Sequence, residues 1–343
     1  ALLNQLADQT EKLKSEFNVD LRVRAIATSK RSVYSESQID LGRWRETLDG
    51  EAADTDLSAF ANHVQAEHLP HAVIIDCTAS EKVANYYDAW LGRGIHVITP
   101  NKRANTAGMD YYRSLRRSSR ENSARYLYET TVGAALPIIQ TLRDLVQTGD
   151  EIFQIEGILS GTLSYLFNVY DGSQTFSQIV AEAKARGFTE PDPRDDLSGM
   201  DVARKVVILA REIGLQLELD DVEVEGLVPE ALQNLSVPDF LAALPSHDSA
   251  MAALFEEARA RGQVLRYVGS VDQTGRASAR LRPYPLDHPF ARIQMTDNIV
   301  LFRTDRYQPN PLVVQGPGAG PEVTAGGVFA DLLRLASSLG ASL

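Results

Sequence analysis

The chain has 343 residues, a formal net charge of −12, 44% hydrophobic and 23% charged residues, and a single cysteine. At roughly 100–200 residues per domain this predicts two domains, each able to bury a core without disulfide or metal staples. The acidic balance argues against a nucleic-acid partner, which needs clustered Lys and Arg, so any phosphate ligand must be held locally by backbone amides and a few cations. Cys77 alone can form no intramolecular disulfide, which fits a reducing compartment. No stretch reaches the roughly 18 consecutive apolar residues of a membrane span.

Ala1-Leu2-Leu3-Asn4-Gln5-Leu6 reads as a helix already under way, with no capping residue or signal peptide in front, and predicts a natural chain that starts further upstream. That helix runs to about Phe17. Leu21 to Ala27 alternates like a strand, and a polar, helix-poor stretch follows to about Asp54. Ala72 to Thr78 is a nearly continuous apolar run, as expected of a strand covered on both faces. Ser80 is placed to cap a helix ended by Gly92 or Gly94. Ile95 to Thr99 and Tyr126 to Glu129 read as further strands. This alternation predicts βαβ units and a doubly wound parallel sheet.

After Gly133 the texture changes. Leu136 to Val146 has helical spacing stopped by Gly149, and Ile152 to Leu159 reads as a strand. Thr175-Phe176-Ser177-Gln178 is a capping box that opens a helix closed by Gly187. Glu190 to Asp196 is expected to be non-helical, because each proline biases its predecessor toward extended geometry. A helix from a Ser198 cap to Gly214 follows, then strands at Val264–Val271, Ala277–Pro283 and Asn298–Arg303 in a sheet that is expected to be antiparallel. Leu312–Gln315, a glycine loop and a helix from about Thr324 to Leu339 resemble another βα unit. The expected division is an α/β part over 1–132, an α+β part over 133–310, and a strand and helix over 311–343.

Three constellations carry chemistry. A doubly wound fold binds a dinucleotide with a glycine turn after its first strand, an acid after its second strand holding the ribose of NAD. Here the strand and glycine turn are absent, and the second strand ends in Thr28-Ser29-Lys30-Arg31, a hydroxyl and two cations that suit the 2′-phosphate of NADP. A solvated turn would have the same composition. Thr78 and Ala79, at a strand end facing a helix start, fall where such sheets bind ligands. The second constellation is Gly316-Pro317-Gly318-Ala319-Gly320, where glycines permit close backbone approach, although a flexible surface loop explains them as well. The third is the most specific. Glu190 and Asp196 lie in a proline-stiffened loop just before a helix bearing Asp201 and Lys205, an i,i+4 pair on one face. An isolated pair of this kind is ordinary helix support. Three acids and a lysine together can hold an amino group and move a proton.

That third segment is similar to the signature of homoserine dehydrogenases. The same resemblance extends through Thr99-Pro100-Asn101-Lys102, Glu129 to Pro137, Gly157 to Tyr165, and Gly318-Ala319-Gly320 with Thr324-Ala325, in order along nearly the whole chain. The resemblance implies that 1–132 is a Rossmann-like nucleotide-binding domain, that 133–310 is a substrate and dimerisation domain, and that the strand and helix over 311–343 return to the first domain. It also implies interconversion of L-homoserine and L-aspartate 4-semialdehyde with NADP or NAD in threonine and methionine biosynthesis. It further implies Lys205 as the proton carrier, its pKa lowered beside a second cation such as Lys102, with Asp201 orienting it. Glu190 and Asp196 match acids for the substrate ammonium, and Lys102 matches a lysine placed between cofactor and substrate, in contact with the cofactor and able to meet the α-carboxylate or the reacting oxygen. Gly320 matches a cofactor contact. A monovalent cation such as sodium is implied at the backbone of Glu129, Val132, Ala134 and Leu136. Thr162 and Tyr165 line the substrate pocket or merely cap and pack. The implied partners are a second copy of the chain and an upstream aspartate kinase fused to it, with no membrane or nucleic acid, in the cytoplasm or, in a plant, the plastid. Two other readings compete: a semialdehyde dehydrogenase that forms a thioester on Cys77, otherwise expected to pack as a small hydrophobe, and a non-catalytic dimerisation or regulatory module.

Overall fold

The computed structural model describes residues 1–50, 52–66 and 68–342. They form two compact units, Ala1–Thr131 with Pro321–Leu343, and Val132–Gly320. The first unit runs α1 (Leu2–Phe17), β1 (Ala25–Ala27), β2 (Arg31–Tyr34), α2 (Trp44–Gly50), β3 (Ala53–Asp54), α3 (Leu57–Val64), β4 (Val73–Ile75), α4 (Glu81–Ala84), α5 (Tyr87–Gly92), β5 (His96–Ile98), α6 (Met109–Glu121) and β6 (Tyr126–Leu127). β4, β5 and β6 form the expected parallel sheet. Ser80 caps α4 as its spacing predicts, accepting from the Val83 amide. The apolar run 72–78 yields only three residues of strand, because Asp76 to Thr78 turn away toward the cap.

The stretch before Asp54 departs from expectation. β1, β2 and β3 make a separate antiparallel meander, and α2 lies within the segment read as helix-poor. The cluster of Val33, Ile39 and Leu48 with Trp44 and Ile26 gives this meander its own small core. α6 was not apparent in the sequence, since it buries only Tyr112 and Leu115 among thirteen mostly polar residues. The last helix, α14 (Pro321–Ser338), packs Val328, Phe329, Leu332 and Leu335 against Leu6 and Leu13 of α1 and against Ile98.

The second unit runs α7 (Ile139–Gln147), β7 (Ile152–Ile158), α8 (Gly161–Val169), α9 (Phe176–Ala185), α10 (Pro193–Leu197), α11 (Met200–Glu212), β8 (Glu223–Val224), α12 (Val237–Ala243), α13 (Asp248–Ala260), β9 (Gln263–Asp272), β10 (Ala277–Pro285), β11 (Asp297–Thr304) and β12 (Leu312–Pro317). Its six strands lie in the order β12-β11-β7-β9-β10-β8, antiparallel except for β8 on β10. The Thr175 capping box forms as read. β12 does not accompany α14 into the first unit: it pairs with β11 from Asp297↔Pro317 to Phe302↔Leu312, so only the helix returns. The 190–196 loop is not free of helix either. Pro193 occupies the first turn of α10, where its missing N–H costs nothing, and Asp192, which caps that helix, is held extended by the following proline.

Candidate active site

In the second unit the centre is built on α11. Its N-cap is Gly199 rather than the expected Ser198, at φ 74, where a Cβ would meet Tyr267 Oη at 2.0 Å, so the sharp entry to the helix requires glycine. Ser198 Oγ instead accepts from the Met200 amide at 3.3 Å. One turn on, Lys205 is 7% exposed. Its Nζ lies 2.7 Å from Asp201 Oδ2 and donates to the Leu159 carbonyl at 2.6 Å, where β7 ends. A buried ammonium needs such partners, and both stabilise its charge. The cation expected beside it, Lys102, belongs to the first unit.

The neighbouring acids are held by main-chain and hydroxyl donors. Asp196 Oδ2 accepts from the Glu190 amide at 2.8 Å, and Oδ1 accepts from Thr162 Oγ1 at 2.8 Å. Burial raises the Asp196 carboxyl above its ordinary pKa, against the opposing pull of those two hydrogen bonds. Thr162 also reaches the Phe188 carbonyl at 2.7 Å, so its hydroxyl ties α8 to the acid loop. Glu190 itself is exposed. Tyr165 is 2% exposed, and its hydroxyl accepts from Arg186 Nη1 at 2.8 Å, which commits it to the end of α9.

In the first unit a cavity of about 1850 Å³ separates β1 from β4, lined by Ala25, Ile26 and Ala27 on one side and Val73, Ile74 and Ile75 on the other. Among the described residues β1 pairs only with β2 and β4 only with β5, so both edges that face the cavity lack a neighbouring strand. Thr28, Ser29, Thr78 and Ala79 line the same cavity at the strand ends. Ser29, Lys30 and Arg31 are exposed in a tight turn whose Lys30 and Arg31 amides donate to Thr28 Oγ1, and Arg31 pairs with Asp49 at 3.1 Å. Cys77 is exposed on this wall rather than packed as a hydrophobe. Desolvation first, and the adjacent Asp76 charge second, push its thiol up to about 11, a poor starting point for a thioester-forming nucleophile.

Sequence reasoning missed what fixes the Thr99–Lys102 turn. Asp76, 4% exposed, accepts from the Thr78 amide at 2.8 Å, from Asn101 Nδ2 at 3.0 Å and from the Tyr87 hydroxyl. Thr99 Oγ1 in turn accepts from the Asn101 amide at 2.9 Å, and Asn101 Oδ1 from the Arg103 amide at 3.0 Å. The turn therefore presents half-buried Lys102 from a frame of buried polar contacts.

The backbone of 129–136 is unusual as well. The Glu129 amide donates to Asp331 Oδ2 at 3.0 Å on the first unit's last helix, while in the second unit Gly133 (φ 73) and Ala134 (φ 52) are both left-handed. The Leu136 amide closes that turn onto the Gly133 carbonyl at 3.0 Å. Gly320 is left-handed too, at φ 114, with open space where a side chain would project.

A parallel-sheet nucleotide unit and a sheet-and-helix unit that presents a buried lysine among acids define a nicotinamide-nucleotide-dependent oxidoreductase. The profile described as "Homoserine dehydrogenase, NAD binding domain" matches residues 1–129, and that described as "Homoserine dehydrogenase" matches residues 137–333. The homoserine dehydrogenase of Schizosaccharomyces pombe is 42% identical over 99% of this chain and 93% of its own length. The chloroplastic bifunctional aspartokinase/homoserine dehydrogenase 2 of Zea mays is 55% identical over 99% of this chain, which spans 38% of that relative. A crystal structure of a putative homoserine dehydrogenase from Archaeoglobus fulgidus superposes with a TM-score of 0.78 at 27% identity, covering 97% of this chain and 94% of the other. The chain belongs to the homoserine dehydrogenase family. Among the described residues no helix is long and apolar enough to cross a membrane.

Proposed function

We propose that this chain interconverts L-homoserine and L-aspartate 4-semialdehyde with NADP(H) or NAD(H). The observation that carries the reading is Lys205, an almost fully buried ammonium fixed by one carboxylate and one carbonyl beside an acid-lined loop. In the reducing direction Lys205 Nζ gives its proton to the aldehyde oxygen as C4 gains hydride; in the oxidising direction neutral Nζ takes the hydroxyl proton. Asp201 orients the amine. Glu190 and Asp196 hold the substrate ammonium, Thr162 positions Asp196, and Tyr165 packs the wall behind them. Lys102 meets the α-carboxylate or the reacting oxygen.

The bound nicotinamide supplies or accepts the hydride. The exposed hydroxyl and two cations at Ser29, Lys30 and Arg31, with no acid among them, fit the 2′-phosphate of NADP, and Thr78, Ala79 and Gly320 are further contacts for the nucleotide. The left-handed backbone of an alanine at 134 costs strain of about 1–3 kcal/mol, which supports a turn kept for a purpose. We assign that purpose to a monovalent cation such as sodium at Glu129, Val132, Ala134 and Leu136. We assign a homodimer or higher homo-oligomer on the family resemblance. The composition is compatible with a cytoplasmic or plastid enzyme and with covalent fusion to an aspartate kinase.

Lys205→Ala tests the central assignment. A proton carrier contributes about 10²–10⁴-fold, so kcat falls by that factor while NADPH affinity is retained. Unchanged turnover refutes the assignment. The two unpaired edges support a second proposal, that a strand preceding Ala1 docks between β1 and β4 and leads into α1 through a phosphate-binding turn. NADPH titration of the chain with and without about 15 upstream residues, a strand plus turn at ordinary lengths, checks this. Tight binding only by the longer chain is expected, and equal binding by both defeats the proposal.

A further inference from the structure

Asn298 on β11 is fully buried, and its Nδ2 donates to the Leu159 carbonyl at 3.1 Å. That carbonyl is the one that accepts from Lys205 Nζ. The register explains the meeting. Ile299 pairs with Ile158, so Asn298 comes opposite the point where β7 ends and Leu159 leads into the Ser160 cap of α8. A carbonyl oxygen has two lone pairs, and here one serves Asn298 and the other Lys205.

Two features say that this carboxamide is not there for stability. Its Oδ1 has no hydrogen-bond partner among the described residues, so burying it is unfavourable, and an apolar residue of the same shape would avoid that cost. Gly318 lies flat against it: a Cβ at that position would come 2.1 Å from Asn298 Cγ, so the amide is clamped in one orientation. A buried, half-satisfied and clamped amide whose one hydrogen bond goes to the lysine's own acceptor is spending stability on geometry.

We propose that Asn298 is a positioning residue for Lys205. By anchoring the Leu159 carbonyl that the lysine also uses, it fixes where the Nζ group sits and so the line along which its proton leaves. Asp201 lies on the lysine's own helix and constrains it along that face, whereas Asn298 constrains it from the sheet. The inference rests on Lys205 being the proton carrier.

The test is a double-mutant cycle in the full-length protein, with kcat, the KM for NADPH and thermal melting measured for Asn298→Asp, Lys205→Ala and the pair. Asp keeps the shape but turns the donor into a second acceptor that faces the carbonyl. The inference expects kcat to fall about tenfold or more in the single Asn298→Asp variant, with the KM for NADPH within about twofold. In the Lys205→Ala background the same change should alter kcat less than about twofold, because there is no amine left to aim. A residue that merely packs would lower the melting temperature in both backgrounds without touching kcat in either, and that outcome overturns the inference. An equal kcat loss in both backgrounds also overturns it. Full activity of Lys205→Ala defeats the underlying assignment instead, and this inference with it. If Asn298→Asp does not fold, Asn298→Ser, with a hydroxyl too short to reach the carbonyl, carries the same cycle.

Discussion

Replacing Asp76 by alanine probes the frame behind Lys102. The carboxylate accepts from the Thr78 amide (2.8 Å), Asn101 Nδ2 (3.0 Å) and the Tyr87 hydroxyl, and hydrogen bonds to a charged group contribute about 1.5–3 kcal/mol each. The losses do not simply add. Tyr87 keeps Thr99 Oγ1 at 3.0 Å and Asn101 keeps the Ser80 carbonyl at 3.0 Å, so of these three donors the Thr78 amide is the one that loses its acceptor outright. Removing a buried carboxylate also recovers part of its desolvation cost. The balance is a loss of about 2–4 kcal/mol. In a cooperative unit of some 150 residues that lowers the Tm by roughly 4–16 °C. Burial, with the Asp76 charge second, drives the Tyr87 phenol far above its ordinary pKa, so it remains a donor throughout this range and cannot compensate by ionising. Circular dichroism melts and urea unfolding of the two proteins measure the effect, and the KM for NADPH should rise as the 99–102 turn loosens. A Tm within 1 °C of the parent would show that the network contributes nothing and that the frame argument is wrong.

Two pH dependences follow from buried groups. His96 is 4% exposed, its Nδ1 accepts from the Arg125 amide, and burial, then His71 and Arg125, lower its pKa to about 4. The unfolded chain therefore binds a proton first, so stability is full above about pH 6.5 and declines as the pH falls toward 4. His96→Gln should flatten the urea midpoint across that window, and an unchanged slope would exclude His96 as its source. Asp196 has the opposite sign. Its raised pKa means that the folded state holds the proton longer, so its contribution to stability is lost as the pH rises from the ordinary carboxyl range through the folded value. Asp196→Asn should consequently melt no lower than the parent at neutral pH while the KM for homoserine rises, and a lower Tm with unchanged KM would contradict its assignment to the ammonium.

What the sequence revealed was what is local. The Thr175–Gln178 box sits within one turn, the apolar core of the 72–78 run within the short β4, and Asp201 and Lys205 within one turn of α11, so spacing alone brings them together. The errors arose where a local pattern had a distant arbiter. Leu312–Gln315 before a helix looks like a βα unit, yet its strand is decided by pairing with β11. Pro193 looks like a helix breaker until Asp192 is seen to cap a first turn around it. The meander of β1–β3 was hidden because its core is three small contacts spread over sixteen residues rather than a periodic face.

The same division separates two kinds of site residue. Glu190, Asp196, Asp201 and Lys205 lie on α10, α11 and the loop just before them, so spacing along the chain shows them together. Asp76, just past β4, reaches Asn101, and Asn298 on β11 reaches the Leu159 carbonyl, each within its own unit and through the register that sets β4 beside β5 and β11 beside β7. Sequence spacing ties neither to its distant partner, Asn101 in one case and the Leu159 carbonyl in the other. Both are nevertheless conspicuous once burial is known, because a fully enclosed carboxylate or carboxamide opposes folding unless its contacts are made. Asn298, whose buried Oδ1 is unsatisfied among the described residues, is therefore where this fold gives up stability for alignment, and substitution there should separate kcat from Tm more cleanly than substitution of Asp76, whose satisfied network stabilises its unit.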